Sequence, residues 1–313
     1  MQFFSAGDLE ATLDFPSLID ALAQAFSGAY AAPNRHHHAI GAATQLLMPA
    51  WSAHAPAPGA YLGTKIVSVF PGNGALGLPA VNGLYLLQSG ETGLPLAVLD
   101  GTRLTHLRTA AASALAARFL ARADAGHLLM AGAGALAPYL IRAHACVRPI
   151  KRVTLWNHRR AGAEKLAQAL AGCGLDIDIA DDLQTAVAQA DIISCATLSP
   201  TAFIQGHWLR AGQHVDLVGA FNLEMREADG EALRRARVYI DTPAALTEGG
   251  DVALALRSGE ITAGHVRGDL AALCGGSVAG RESASDITLF KSVGASNEDL
   301  AAAVLAWRRR KPD

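Results

Sequence analysis

Apolar and polar positions follow two different rhythms, and the change falls near Thr102. Before it, short apolar runs are separated by turn-forming residues. After it, strand-like and helix-like stretches alternate. The spacing predicts an opening helix over residues 17–29. Residues 34–40 and 45–48 flank Gly41 and read as a hairpin, and residues 84–88 and 94–99 read as a second one around Ser-Gly-Glu-Thr-Gly. Residues 63–70 form a strand-like run between them, and antiparallel pairing is the simplest way to assemble such neighbours. Residues 104–121 have helical spacing, with threonines at the start that suit a cap. Beyond them, candidate strands at 128–131, 153–157, 176–180, 192–196, 215–219 and 238–241 are separated mostly by Ala-rich helical stretches. That is the βαβ rhythm of a doubly wound parallel sheet. The chain closes with a strand at 287–293 and a helix at 297–310, which could return to the first domain.

Composition narrows the class. A chain of 313 residues suits two domains that share a cleft, and 51% hydrophobic against 17% charged residues describes a packed protein. A net charge of -2 argues against nucleic acid as a partner. The start, Met-Gln-Phe-Phe-Ser-Ala-Gly-Asp, has no basic region followed by a long apolar run, so a cytoplasmic location is expected. Residues 127–147 are the most apolar stretch, but two glycines at loop spacing, Pro138, Arg142 and His144 argue against a membrane span. Cys146, Cys173, Cys195 and Cys274 form no CxxC pair and read as reduced packing residues.

The clearest chemistry follows the strand at 128–131, which runs directly into Gly132-Ala133-Gly134-Ala135-Leu136-Ala137 and then into a helix. Glycines at this spacing let a strand turn sharply, and let backbone approach a pyrophosphate at a helix N-terminus. The next strand ends in Asn157-His158-Arg159-Arg160, roughly 25 residues after Gly132, where the adenosine ribose is read. A carboxylate there would accept the ribose hydroxyls and repel a 2′-phosphate. None is present. Asn157 brings no negative charge and Arg159 and Arg160 offer guanidinium groups, so NADPH is expected over NADH. Alternatively, the two arginines begin a solvated helix.

A second constellation lies earlier. In a strand over 63–70, Lys65 shares a face with Val67 and Val69, so its ammonium reaches over an apolar surface. A lysine so placed needs an anionic partner or a task, unless it snorkels from a sheet edge. Arg108, in the first turns of its helix, suits an anion such as a substrate carboxylate or a cofactor pyrophosphate. Arg35 precedes His36-His37-His38, but consecutive strand residues alternate faces and cannot converge on one ion, so no metal is expected. Arg308-Arg309-Arg310-Lys311 reads as a solvated tail at a helix end.

Taken in order, Met48-Pro49-Ala50-Trp51-Ser52, Thr64-Lys65-Ile66-Val67, Leu99-Asp100-Gly101, Arg108-Thr109-Ala110-Ala111, the Gly132 turn, Gly250-Asp251-Val252 and Phe290-Lys291-Ser292-Val293-Gly294 resemble the ornithine cyclodeaminase/μ-crystallin family. The resemblance spans nearly the whole chain. It implies a Rossmann-type α/β domain with a doubly wound parallel sheet (residues 116–289). That domain is inserted into an α+β substrate-binding and dimerisation domain with antiparallel strands (1–115 and 290–313), and the usual assembly is a homodimer. It casts Arg35, Lys65 and Arg108 as a carboxylate-binding and polarising cluster. Gly132, Gly134, Ala135, Leu136, Asn157, Arg159, Thr197, Leu198 and Ser292 become cofactor contacts, joined by Arg108, Thr109 and Arg160.

One departure is informative. Members that deaminate ornithine carry an aspartate just beyond the glycine that follows the strand at 215–218. Here the sequence is Gly219-Ala220-Phe221-Asn222, with Phe221 in its place. Reducing a preformed cyclic ketimine needs no such acid, and an apolar ring excludes water. Gly219-Ala220-Phe221 followed by Met225-Arg226-Glu227 also resembles members that reduce Δ1-pyrroline-2-carboxylate or Δ1-piperideine-2-carboxylate. The expected activity is therefore NADPH-dependent reduction of a cyclic imino acid to L-proline or L-pipecolate, with Phe221 lining the ring pocket. Three alternatives stay open: ornithine cyclodeaminase, an alanine dehydrogenase-like enzyme, and a non-catalytic NADPH-dependent ligand binder.

Overall fold

Gly41, with φ +59°, turns the chain between two strands, and a sheet is built outward from that hairpin. The computed structural model describes residues 1–310, so the Lys311 of the basic tail lies outside the described residues. Two compact units emerge, Met1–Ala111 with the segment from Ala295 to the C-terminus, and Ala112–Gly294.

In the first unit the elements are β1 (Gln2–Phe4), α1 (Ala6–Thr12), α2 (Phe15–Gln24), β2 (Tyr30–Ala31), β3 (His36–Ile40), β4 (Ala43–Ser52), β5 (Tyr61–Val69), β6 (Val81–Ser89), β7 (Pro95–Asp100) and the first half of α3 (Gly101–Leu120). The opening helix is shorter than its spacing predicts, because Ala25–Ala29 winds into a π turn that ends on Gly28 at φ +97°. The sheet order is β1-β7-β6-β5-β4-β2, with β3 also on β4. Pairing is antiparallel except at β1, which runs parallel to β7 and was too short to show in the pattern. Register puts Met48, Lys65, Tyr85 and Leu99 in one row across four strands, all buried. Leu47, Ile66 and Leu84 form the neighbouring row on the opposite face, where Leu84 is exposed.

The second unit contains β8 (His127–Ala131), α4 (Ala137–Val147), β9 (Arg152–Trp156), α5 (Arg160–Ala169), β10 (Asp176–Ile179), α6 (Leu183–Gln189), β11 (Ile192–Cys195), β12 (His214–Leu217), α7 (Gly230–Arg235), β13 (Arg237–Ile240), α8 (Gly250–Arg257), β14 (Val266–Asp269), α9 (Leu270–Cys274) and β15 (Thr288–Lys291). All pairings in its eight-stranded sheet, β10-β9-β8-β11-β12-β15-β13-β14, are parallel. The strands read as near-continuous apolar runs because helices cover both faces. The order reverses between β8 and β11, the switch point at which such sheets bind ligands. The fold is thus the α/β class that the alternation predicts, with a mixed second sheet.

The last helix, α10 (Ser296–Arg309), belongs to the first unit and packs on α2, β4, β5 and β6. Its basic end is tied down, contrary to a solvated tail. Arg309 bonds Asp14 and the Thr12 carbonyl, Arg310 bonds the Phe3 carbonyl, and Arg308 lies over the Tyr61 ring. The cysteines also divide differently from expectation. Cys195 is core, whereas Cys146 and Cys173 are exposed, so packing explains only the first of these. No helix among the described residues is long and apolar enough to cross a membrane.

Candidate active site

The row that carries Lys65 places its ammonium beneath α10. Lys65 is 2% exposed, and its Nζ lies 3.0 Å from Oδ1 and 2.8 Å from Oδ2 of Asp299. Arg108 joins the same carboxylate, Nε to Asp299 Oδ1 at 2.9 Å, while its Nη1 donates to Glu298 Oε2 at 2.6 Å. Two cations and two anions are therefore buried together. Burial pushes the Lys65 ammonium down to about 8, helped by Arg108 and Arg35 and opposed by Asp299. Arg35 lies in the segment before β3, half-buried, and its charge reaches Lys65. Structure thus brings Arg35, Lys65 and Arg108 together, and adds Glu298 and Asp299, which sequence reasoning missed. Thr109, the next residue on α3, is also buried. His36, His37 and His38 form the exposed β3.

In the second unit the Gly132 turn closes the switch point. Gly132 has φ +108°, and a Cβ there would stand 2.6 Å from the Ala196 carbonyl oxygen, so both conformation and space require glycine. Gly134 has open space around its missing side chain. Ala135 and Leu136 lead into α4, whose N-terminus no side chain caps. Such an end presents backbone N–H groups and a positive dipole to an anion.

Asn157 is tied to the glycine turn. Its Oδ1 accepts from the Ala133 amide at 3.1 Å and its Nδ2 donates to the Arg159 carbonyl at 2.8 Å, so it braces the glycine turn. Arg160 bonds Glu164 and Asp181 on the surface, one of them an i,i+4 pair. Arg159 is exposed and makes no ion pair among the described residues.

At the neighbouring strand ends, Glu227 holds two loops at once. Its Oε1 accepts from the Thr197 amide at 2.7 Å and hydroxyl at 2.8 Å, and its Oε2 from the Gly219 amide at 2.8 Å. Gly219 is needed here, since a Cβ would meet the Thr197 carbonyl oxygen at 2.0 Å. Asp251 Oδ1 in turn accepts the Glu227 and Ala228 amides, and Lys291 Nζ stands 3.2 Å from Asp251 Oδ2. Burial raises Glu227 above the usual carboxylate range, with Lys291 pulling the other way. Ser292 is buried just after Lys291, its amide bonded to the Leu217 carbonyl. Leu198 and Phe221, in the loops after β11 and β12, are 69% and 42% exposed, unusual for large apolar side chains.

An α/β protein with a Gly-x-Gly turn at the switch point of a parallel sheet, and a separate buried cationic site in a mixed sheet, is the class these features define. Its family is shown by the comparisons. The model of the ornithine cyclodeaminase/mu-crystallin family matches residues 11–311, and the chain belongs to that family. A Δ1-pyrroline-2-carboxylate reductase from Paracoccus denitrificans is 38% identical over 304 residues, covering 96% of this chain and 95% of the relative. The structure of Thermococcus litoralis Δ1-pyrroline-2-carboxylate reductase in complex with NADH and L-proline superposes with a TM-score of 0.92 at 32% identity, covering 99% and 97% of the two chains. An archaeal alanine dehydrogenase dimer with bound NAD gives a TM-score of 0.91 at 28% identity, covering 99% and 95%.

Proposed function

We propose that this protein is an NAD(P)H-dependent reductase of cyclic ketimine carboxylates, converting Δ1-pyrroline-2-carboxylate or its six-membered analogue to L-proline or L-pipecolate. The observation that carries the reading is Phe221. The loop after β12 presents an exposed aromatic ring where deaminating members of the family carry an acid. A reductase needs no group there to activate water or expel ammonia, and gains from a surface that excludes water. The likeness to two pyrroline-carboxylate reductases, one of them holding NADH and L-proline, supports the same reading.

The second unit's residues fit a dinucleotide. Gly132 keeps clear the space that a Cβ would fill, and the uncapped start of α4 would hold a pyrophosphate's charge. Thr197, Leu198 and Ser292 would also hold the cofactor. A bound reduced nicotinamide supplies the hydride. The chain's own work is to bind, orient and protonate. Arg35 and Arg108 neutralise the imino acid's carboxylate, and Lys65, as an ammonium, hydrogen-bonds the neutral imine nitrogen and passes it a proton as hydride arrives at carbon, itself becoming a neutral amine.

NADPH is the proposed preference over NADH. It rests on the absence of a carboxylate at 157 and on Arg159, since Asn157 and Arg160 are engaged locally. The two structural relatives hold NADH and NAD, so the two cofactors are compared side by side in the test below. A homodimer is proposed from the alanine dehydrogenase dimer and from Trp51 and Leu84, exposed on the same face of the first sheet.

The test is purified protein with the five- and six-membered ketimines, following NADPH and NADH absorbance in parallel. Consumption of the reduced cofactor is expected with at least one ring. No consumption with either, together with ammonia released from L-ornithine, would make the protein a cyclodeaminase instead.

A further inference from the structure

The buried cluster of the first unit contains a residue that no step above uses. Asp299 touches both cations: 2.8 and 3.0 Å from Lys65 Nζ, and 2.9 Å from Arg108 Nε. It is fully buried at the start of α10, an element some 190 residues along the chain from the helix that supplies Arg108. Such a bridge fixes the distance between the two cations more tightly than either side chain could by itself, because each long side chain would otherwise sample several rotamers.

Lys65 is faced from every side by groups that matter to its charge. Arg108 and Thr105 come from α3, Asp299 from α10, Tyr85 from β6, and Arg35 from the segment before β3, while Glu298 of α10 bonds Arg108. Burial and two arginines work against an ammonium. Asp299 is what favours it. The Tyr85 hydroxyl, buried without a hydrogen-bond partner among the described residues and given its room by Gly63, supplies no charge to help.

We infer that Asp299 is the positioning residue of the imino-acid site: its carboxylate clamps Lys65 to Arg108 at fixed spacing and keeps Lys65 in the ammonium form that reduction of a ketimine requires. The inference rests on the proposed role of Lys65, and the experiment separates the two. The chain has five lysines, so Lys65 can be followed by NMR in full-length protein with labelled lysine side chains and assigned by the signal lost in Lys65→Arg.

In wild-type protein the Lys65 signal should titrate near pH 8, and in Asp299→Asn the midpoint should fall by about one unit or more. The alkaline limb of kcat/KM for ketimine reduction should move down by the same amount, with NADH affinity unchanged. A limb and a Lys65 midpoint that both stay put in Asp299→Asn would overturn the inference even if the rate falls. If the protein reduces no ketimine, the proposed function fails while the Lys65 titration still decides whether Asp299 holds its charge. Should Asp299→Asn not fold, Asp299→Glu keeps the charge but lengthens the side chain: a raised KM with an unmoved limb is expected, and wild-type KM and kcat together would remove the positioning role.

Discussion

Both units bury charged side chains, but they satisfy them in opposite ways. In the first, Lys65 and Arg108 are held by the side chains of Glu298 and Asp299. In the second, Glu227 is held by the backbone amides of Thr197 and Gly219 with the Thr197 hydroxyl, and Asp251 takes two amides, at Glu227 and Ala228, on one oxygen while Lys291 stands 3.2 Å from the other. A carboxylate saturated by backbone N–H groups fixes loops and has little capacity left for a ligand. A cluster of side-chain ions can exchange partners when a charged ligand arrives. The difference fits a second cluster that braces loops and a first cluster able to serve as the proposed imino-acid site.

The largest effect should come from Lys65→Met. Loss of a positioned proton donor is worth about 10²–10⁴-fold, and a fall of roughly 10³ in kcat/KM is expected with cofactor binding unchanged. Equal damage to cofactor affinity, read by nicotinamide fluorescence, would erase the distinction between the two clusters. Glu227→Gln should instead be read in stability. An amide cannot accept from both Thr197 and Gly219, and a loss of about 3 kcal/mol in urea unfolding is expected. A 10³-fold rate loss with unchanged stability would show that this residue is no scaffold.

A smaller effect concerns pH. His214, fully buried on β12 and bonded through Nδ1 to the Thr288 hydroxyl, is pushed by burial down to about 3. The unfolded chain takes up this proton as pH falls below about 6.5, and the native state does not until far lower. Stability is thus fully present above pH 6.5 and lost as pH falls towards 3. Between pH 6.5 and 5 the loss should be about 2 kcal/mol, and His214→Leu should flatten it; an identical slope in the variant would assign the acid sensitivity elsewhere. Smallest is Arg159→Ala, expected to weaken NADPH by about tenfold and NADH little, as one charge-assisted hydrogen bond implies. Equal weakening of both would remove the basis for an NADPH preference.

Much of this was legible in the sequence. The strand, Gly-x-Gly turn and helix at β8 and α4 declare themselves because the turn's conformation admits only glycine at Gly132. Lys65 stood out because strand alternation puts it on an apolar face. Its partners did not. Glu298 and Asp299 lie in the first turn of α10, where acidic residues ordinarily complement the helix dipole in solvent. Only the packing of that helix on β4, β5 and β6 buries them. Asn157 gained a second task that its place in the sequence did not show, since its short amide also reaches the neighbouring glycine turn. β1 and β14 were invisible because three or four residues carry no periodicity, and their neighbours in the sheets supply the pairing.

The central claim is that a hydride passes from a nicotinamide to the imine carbon of a cyclic ketimine carboxylate. It is tested most directly with NADPH or NADH deuterated at the transferring position and Δ1-pyrroline-2-carboxylate as substrate, with the product read by mass spectrometry. L-Proline carrying one deuterium at C2 is predicted. Product without deuterium, or no product while L-ornithine is deaminated, would contradict it.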